Sequence, residues 1–410
     1  MSQSLPDESR INTINTASLT YSPRQIIQTA WIVIAVFMLS NAPTSLYIHW
    51  KQQFSFTSGT LTLIFGCYIL ALVITLLVAG QLAGRLGRKK IILPGLIAAL
   101  LACLCFMMAQ SVCLLLVARF LTGIAVGITV TASMAAVVDA GGEGRKRQAA
   151  LIASIAMVTG AGLGPVMSGV IVRFLPHPVF TVFTVELVVQ LSAIALALRL
   201  PAAQEKMAEK SRPLRLPSIA SKNIFHLMLG ILFFAPGLTA TSMMLSLGPV
   251  LLNRFSHASS PMIAGLMACM MFSVAVGTQL LCRKQPIARV FYFSGAALIV
   301  AMMSIIFTLH GGGVKTIFIA ALAAGAAQGL GQLGGLTLLS LNIAAERRAE
   351  ANALLNIGAY IPAGLLPVVT GYLIDLTCLS LGFTLLAATL TALSMVAITL
   401  LVVQRRVSLY

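Results

Sequence analysis

Two ionisable side chains stand alone in long stretches of apolar chain. Arg119 is the only Asp, Glu, Lys or Arg between Lys90 and Asp139, and Glu186 is the only one between Arg173 and Arg199. A charge withdrawn from water is costly unless it is paired or neutralised. Each is therefore a functional candidate. Arg119 could hold an anionic solute, Glu186 could carry a proton, and the two could pair with each other. The plainer reading of Glu186 is a neutral, protonated acid packed between helices. Catalytic chemistry finds no footing. There is no GxxxxGK[ST] loop to cradle phosphate, and no Ser or Cys nucleophile with a buried base. The seven cysteines (Cys67, Cys103, Cys105, Cys113, Cys269, Cys282 and Cys378) have no metal-ligand spacing. The residues point away from an enzyme, a metal or a cofactor.

The elements that carry these residues follow from composition. Of 410 residues, 59% are hydrophobic and 9% charged, against about 25% charged in a soluble chain. A membrane-spanning helix needs about 20 apolar residues. Twelve such segments are predicted, at roughly 27–49, 60–83, 90–110, 112–138, 149–173, 179–199, 223–252, 261–281, 288–309, 314–342, 351–374 and 380–403. The chain is thus an all-α integral membrane protein. Arg119 and Glu186 both fall roughly 10 Å below the same surface, at 1.5 Å rise per residue. An ionisable residue at that depth is a functional candidate by default.

The net charge of +17 suggests nucleic acid, but its distribution argues for topology and lipid contact. With both termini on one side, that side collects Arg10 and Arg24, the cluster Arg85 to Lys90, Arg145 to Arg147, the basic residues from Arg199 to Lys222, then Arg283, Lys284, Arg289, Arg347, Arg348, Arg405 and Arg406. The other side has Lys51, Arg173, Arg254 and Lys315. The positive-inside rule makes the first side cytoplasmic. The segments then divide into a disordered tail (1–24), a six-helix half (25–199), a polar linker (200–222), a second six-helix half (223–403) and a short tail (404–410). One constant shift aligns Arg145-Lys146 with Arg347-Arg348, Gly123 and Gly127 with Gly325 and Gly329, and Gly162, Pro165 and Gly169 with Gly364, Pro367 and Gly371. That pattern fits a duplication of one half. Two such halves with a site between them are a known transporter plan.

Helix five carries Thr159-Gly160-Ala161-Gly162-Leu163-Gly164-Pro165-Val166-Met167-Ser168-Gly169. Small residues let helices approach backbone to backbone in a bilayer, so this stretch is a bent, closely packed span. Its counterpart has Leu366 where helix five has Gly164, which makes the Gly-Pro step particular to helix five.

These residues carry a family resemblance. Gly80-Gln81-Leu82-Ala83-Gly84-Arg85-Leu86-Gly87-Arg88-Lys89-Lys90, between helices two and three, resembles motif A of the major facilitator superfamily. Arg119-Phe120-Leu121-Thr122-Gly123 resembles its motif B. Gly160 through Gly169 resembles motif C, the signature of proton-coupled drug exporters. The resemblance is to the twelve-helix bacterial drug/proton antiporter-like group, and it implies the major facilitator fold. Gly80, Gly87, Arg88, Asp139, Gly160, Gly164, Pro165 and Gly169 become conformational-gating candidates. Arg88 would pair with Asp139, although basicity for topology alone also explains it. The family's motif A aspartate, which latches the outward-open state against helix eleven, is replaced by Gly84. The motif B arginine is tied in the family to proton coupling, so Arg119 joins Glu186 as a coupling candidate.

Cavity candidates are Asn41, Thr44 and Tyr47 beside a kink at Pro43, Arg119, Gln328 and Gln332 in helix ten, and Asn356 and Tyr360 in helix eleven. The expected protein is a monomeric secondary transporter of the bacterial inner membrane. It would export a small amphipathic or drug-like compound by exchange with protons, without a cofactor. An uptake carrier or facilitator for a polar or anionic metabolite is one alternative, and a non-transporting receptor or scaffold another.

Overall fold

The computed structural model describes residues 23–200, 219–255, 261–344 and 347–407. The expected tail, most of the 200–222 linker and the last three residues lie outside it. Among the described residues, twelve helices are long and apolar enough to cross a membrane: α1 (Arg24–Phe54), α2 (Ser58–Ala79), α3 (Arg88–Met107), α4 (Val112–Asp139), α5 (Gln148–Phe174), α6 (Pro178–Leu198), α7 (Ile224–Ser246), α8 (Pro261–Cys282), α9 (Ile287–Leu309), α10 (Val314–Asn342), α11 (Glu350–Leu376) and α12 (Leu379–Val403). The chain is a multi-pass membrane protein. Arg85, Lys89, Arg145, Arg283 and Arg348 mark what we call the basic end, and Lys51, Arg173 and Lys315 the far end.

Local chemistry sets the breaks. Gly87 alone links the helix of α2 to α3, at φ +86° and ψ 148°, a conformation that favours glycine. In α1 the helix tightens into a 3-10 turn at Ala42–Leu46, where Pro43 removes a donor. The seventh segment differs from expectation. Hydropathy predicts one helix over 223–252, but α7 stops at Ser246 and a separate short helix runs Gly248–Phe255. Pro249 has no N–H to continue the ladder.

Within the first six helices, α1 packs on α5 and α6, α2 on α4, and α3 on α4 and α6. Within the last six, α7 packs on α10 and α11, α8 on α10, and α9 on α10 and α12. The glycines aligned by the constant shift do matching work. Gly123 and Gly127 press α4 onto the α2 backbone at Tyr68 and Leu72, and Gly325 and Gly329 press α10 onto the α8 backbone at Met271 and Ala275. Any Cβ at these positions would overlap the neighbouring chain.

The two sets meet along α2–α11 and α5–α8, again in matching fashion. Gly364 and Gly371 of α11 face Ile69 and Thr62 of α2, while Gly162 and Gly169 of α5 face Cys269 and Met262 of α8. These approaches occupy the far-end portion of each pair. Toward the basic end the same helices turn to their own set, as where Gly358 of α11 meets Ile231 of α7.

Candidate functional site

A cavity lies at mid-depth between the two sets, with an empty volume of about 850 Å³ counting its mouth. The 3-10 turn ends the regular part of α1 at Asn41, which lines the cavity with Phe37 and Ser40; Asn41 Nδ2 donates to the Phe37 carbonyl at 3.3 Å. Aromatic wall comes from Phe65 and Tyr68 of α2, Phe234 of α7, Phe272 of α8 and Tyr360 of α11. Polar wall comes from Thr241 and Ser242 of α7, Gln279 of α8, and Gln328 and Gln332 of α10. Among the described residues, no Asp, Glu, Lys, Arg or His lines it.

Of the residues singled out in sequence, Asn41, Gln328, Gln332 and Tyr360 reach this wall, and Thr44, Tyr47, Arg119 and Asn356 do not. Thr44 is buried in the 3-10 turn. Asn356 folds its amide back to the Asn352 carbonyl at 2.9 Å. Tyr47 is buried as the partner of Arg119, which donates to its hydroxyl and, at 2.7 Å, to the Ser40 carbonyl. The Arg119 guanidinium is 1% exposed and sits among four rings, with Phe65 and Tyr68 both 5.8 Å away and standing between it and the cavity. An arginine can spread its charge over ring faces, and here it ties α4 to the α1 turn from behind the wall.

Glu186 is fully buried, and neither carboxyl oxygen has a hydrogen-bond partner by distance and angle. Gln190, one turn along α6, lies beside it; Gln190 Nε2 donates to the Ala35 carbonyl at 2.8 Å, and its Oε1 is likewise unpartnered. A proton on the carboxyl would supply the donor this group lacks. Glu186 and Arg119 form no ion pair: Arg119 faces Phe106, which stacks on Phe183 of α6, 4.7 Å between centroids.

The far end is closed by a contact that carries no signal in the sequence. Asp375, at the end of α11, accepts from the backbone N–H of Ser58 at 2.9 Å and of Gly59 at 2.7 Å, the first residues of α2. Thr57 Oγ1 accepts from Thr60 N–H, and the Thr57 carbonyl accepts from Leu61 N–H. The open donors of the first three helical residues, Ser58, Gly59 and Thr60, are thereby satisfied, two of them from the other set of helices. Lys51 Nζ donates to Ser58 Oγ at 3.1 Å beside it.

Pro165 and Gly169 of α5 belong to the same closure: Gly265 of α8 presses on the Pro165 carbonyl, which also accepts from Ser45 Oγ at 2.9 Å. Gly160 and Gly164 instead face α1, against the Ile34 and Met38 carbonyls. The Gly-Pro step thus serves two neighbours, α1 within its own set and α8 across the interface.

At the basic end Arg88 and Asp139 form an ion pair. Lys89 Nζ donates to the Leu198 and Leu200 carbonyls at 2.6 and 2.9 Å. This places a cation at the negative end of α6, where the sequence indicates topology alone. Gly80 and Gly84 lie in the helix of α2, but their surroundings fall outside the described side chains.

The sequence model described as Major Facilitator Superfamily matches residues 30–315. No curated protein sequence matches significantly. Among solved structures, a bacterial homolog to human lysosomal transporter, Spinster, in inward-facing and unoccupied conformation is similar at TM-score 0.75 and 15% identity, over 95% of this chain and 98% of that one. The nucleoside transporter NupG is similar at TM-score 0.68 and 13% identity, over 92% and 98%. At such identity the likeness is one of fold.

Proposed function

The chain belongs to the Major Facilitator Superfamily, and from that membership we propose an alternating-access exporter that moves a small amphipathic compound outward in exchange for protons. It is a membrane transporter rather than an enzyme. The observation that carries the proposal is the cavity between two helix sets that, among the described residues, are sealed against each other at the far end. Rocking of the sets about such a site is the motion alternating access requires. The basic end is taken as cytoplasmic, following the positive-inside rule. The structure then corresponds to an inward-facing state. Motif C, with α5 packed on both α1 and α8, supports export over uptake, and buried Glu186 is the candidate proton carrier.

One observation favours a second reading. Among the described residues the wall of the cavity has no carboxylate, so a proton-independent facilitator is the main rival. Uptake of a polar metabolite remains an alternative, and for an anionic one Arg119 would have to act from behind the wall, where its terminal nitrogens are engaged. Flux in proteoliposomes with an imposed pH gradient separates the readings. Efflux driven by the gradient supports exchange with protons. Gradient-independent flux supports the facilitator, and binding without flux a receptor.

A further inference from the structure

In the transport reading, on which this inference rests, the cavity is the solute site, and its wall bears on the chemistry of that solute. Gln328 and Gln332 stand one turn apart on one face of α10, in the run Gln328-Gly329-Leu330-Gly331-Gln332. The Gln328 side-chain oxygen is buried without a partner. A polar atom held so is unfavourable until a partner arrives, and the helix backbone that carries it is closely packed. Gly237 of α7 lies with its backbone against the Gln328 N and Cα, and Ser294 Oγ of α9 donates to the Ala327 carbonyl at 2.9 Å. One turn on, Gln332 Oε1 accepts from Gln279 Nε2 of α8 at 3.2 Å, and Gly331 seats the helix on the Phe233 carbonyl. Glycines at and around the glutamines thus let neighbouring helices seat the α10 backbone that carries the row of amides.

We infer that this glutamine row recognises an uncharged solute through an amide-like edge, a donor and an acceptor side by side, carried on a flat apolar body. A primary amide offers one acceptor and two donors, and pairs two-fold with an edge of that kind, as glutamine does with adenine. The apolar body faces the rings of Phe65, Tyr68 and Tyr360. A cation meets no carboxylate among the described residues of the wall and has Arg119 behind it. An anion meets the same guanidinium across two rings, its terminal nitrogens already donating to Ser40 and Tyr47.

The test uses purified full-length protein and three probes on one scaffold: 2-naphthamide, 2-naphthoate and 2-naphthylmethylamine. Binding is read from the ligand-induced rise in unfolding midpoint, since a ligand of the folded state stabilises it. The amide is expected to bind about tenfold or more tightly than either charged probe, because a site built for hydrogen bonding discriminates against an edge that cannot make them. Gln328→Leu and, separately, Gln332→Leu are each expected to remove that preference while the unliganded midpoint stays near wild type. Equal or tighter binding of a charged probe, no shift with the amide at millimolar concentration, or unchanged amide affinity in both variants would overturn the inference. Amide binding without flux in proteoliposomes would overturn the transport reading and leave the ligand class standing. Flux of the charged probes but not the amide would do the reverse.

Discussion

Replacing Asp375 with Asn tests the far-end closure with almost no change of shape. The carboxylate accepts two backbone N–H groups at the start of α2. Asn has one acceptor oxygen and no charge, so it loses one bond of the charge-assisted kind, worth about 1.5–3 kcal/mol, and the attraction of an anion to a helix start, about 0.3–1 kcal/mol. Asp375 is solvent-exposed, and the open state returns both N–H groups to water, so the net loss is nearer 1–2 kcal/mol. That is a factor of about 5–30 in the ratio of far-end-closed to far-end-open molecules. The assay introduces Phe272→Cys, at a partly exposed position of the cavity wall, in a version without the native cysteines, and labels it with an impermeant maleimide from either side of the membrane. Asp375→Asn should raise labelling from the far side and lower it from the basic side. An unchanged ratio in a normally folded variant would refute the idea that Asp375 holds the closure.

Glu186→Gln preserves shape and hydrogen-bonding capacity, so folding should survive while flux loses its dependence on the imposed pH gradient; retained dependence would remove Glu186 as proton carrier. Gly164→Ala places a Cβ against the Met38 carbonyl of α1 and should cost about 1–3 kcal/mol through overpacking, seen as a lower unfolding midpoint. Gly277→Ala, with nothing within 4 Å of the added atom, should leave it unchanged or raise it. Arg88→Ala removes an ion pair whose partners are 34% and 55% exposed; at about 0–1 kcal/mol it should barely move the midpoint, and a large fall would show that the pair does more than its exposure allows.

The spans were legible because an apolar run of that length has one solution in a bilayer, where the backbone must bond to itself. The end of α7 at Ser246 was not, since hydropathy continues through Leu247, Val250 and Leu251 while Pro249 breaks the ladder. The glycines of α5 announced close packing but not which neighbour each would meet. Gln328 and Gln332 could be placed on one face from their spacing, whereas Gln279 comes from another helix and had no local signal. Arg119 stood out as a charge in apolar chain, yet its position behind the wall depends on Phe65 and Tyr68, residues indistinguishable in sequence from any lipid-facing aromatic. Asp375 was invisible for a simpler reason: its partners are backbone N–H groups more than half the chain away, and sequence carries no mark of them.

The central claim is that the two helix sets must part at the far end for solute to pass. Gly162 of α5 and the native Cys269 of α8 face each other there, and a Cβ on Gly162 would lie 3.6 Å from the Cys269 Cβ, within the range a disulfide spans. With Gly162→Cys in a version that keeps Cys269 and lacks the other six native cysteines, oxidation should join the sets. Flux of the transported compound is predicted to stop on oxidation and to return on reduction. Undiminished flux through fully cross-linked protein would contradict the claim.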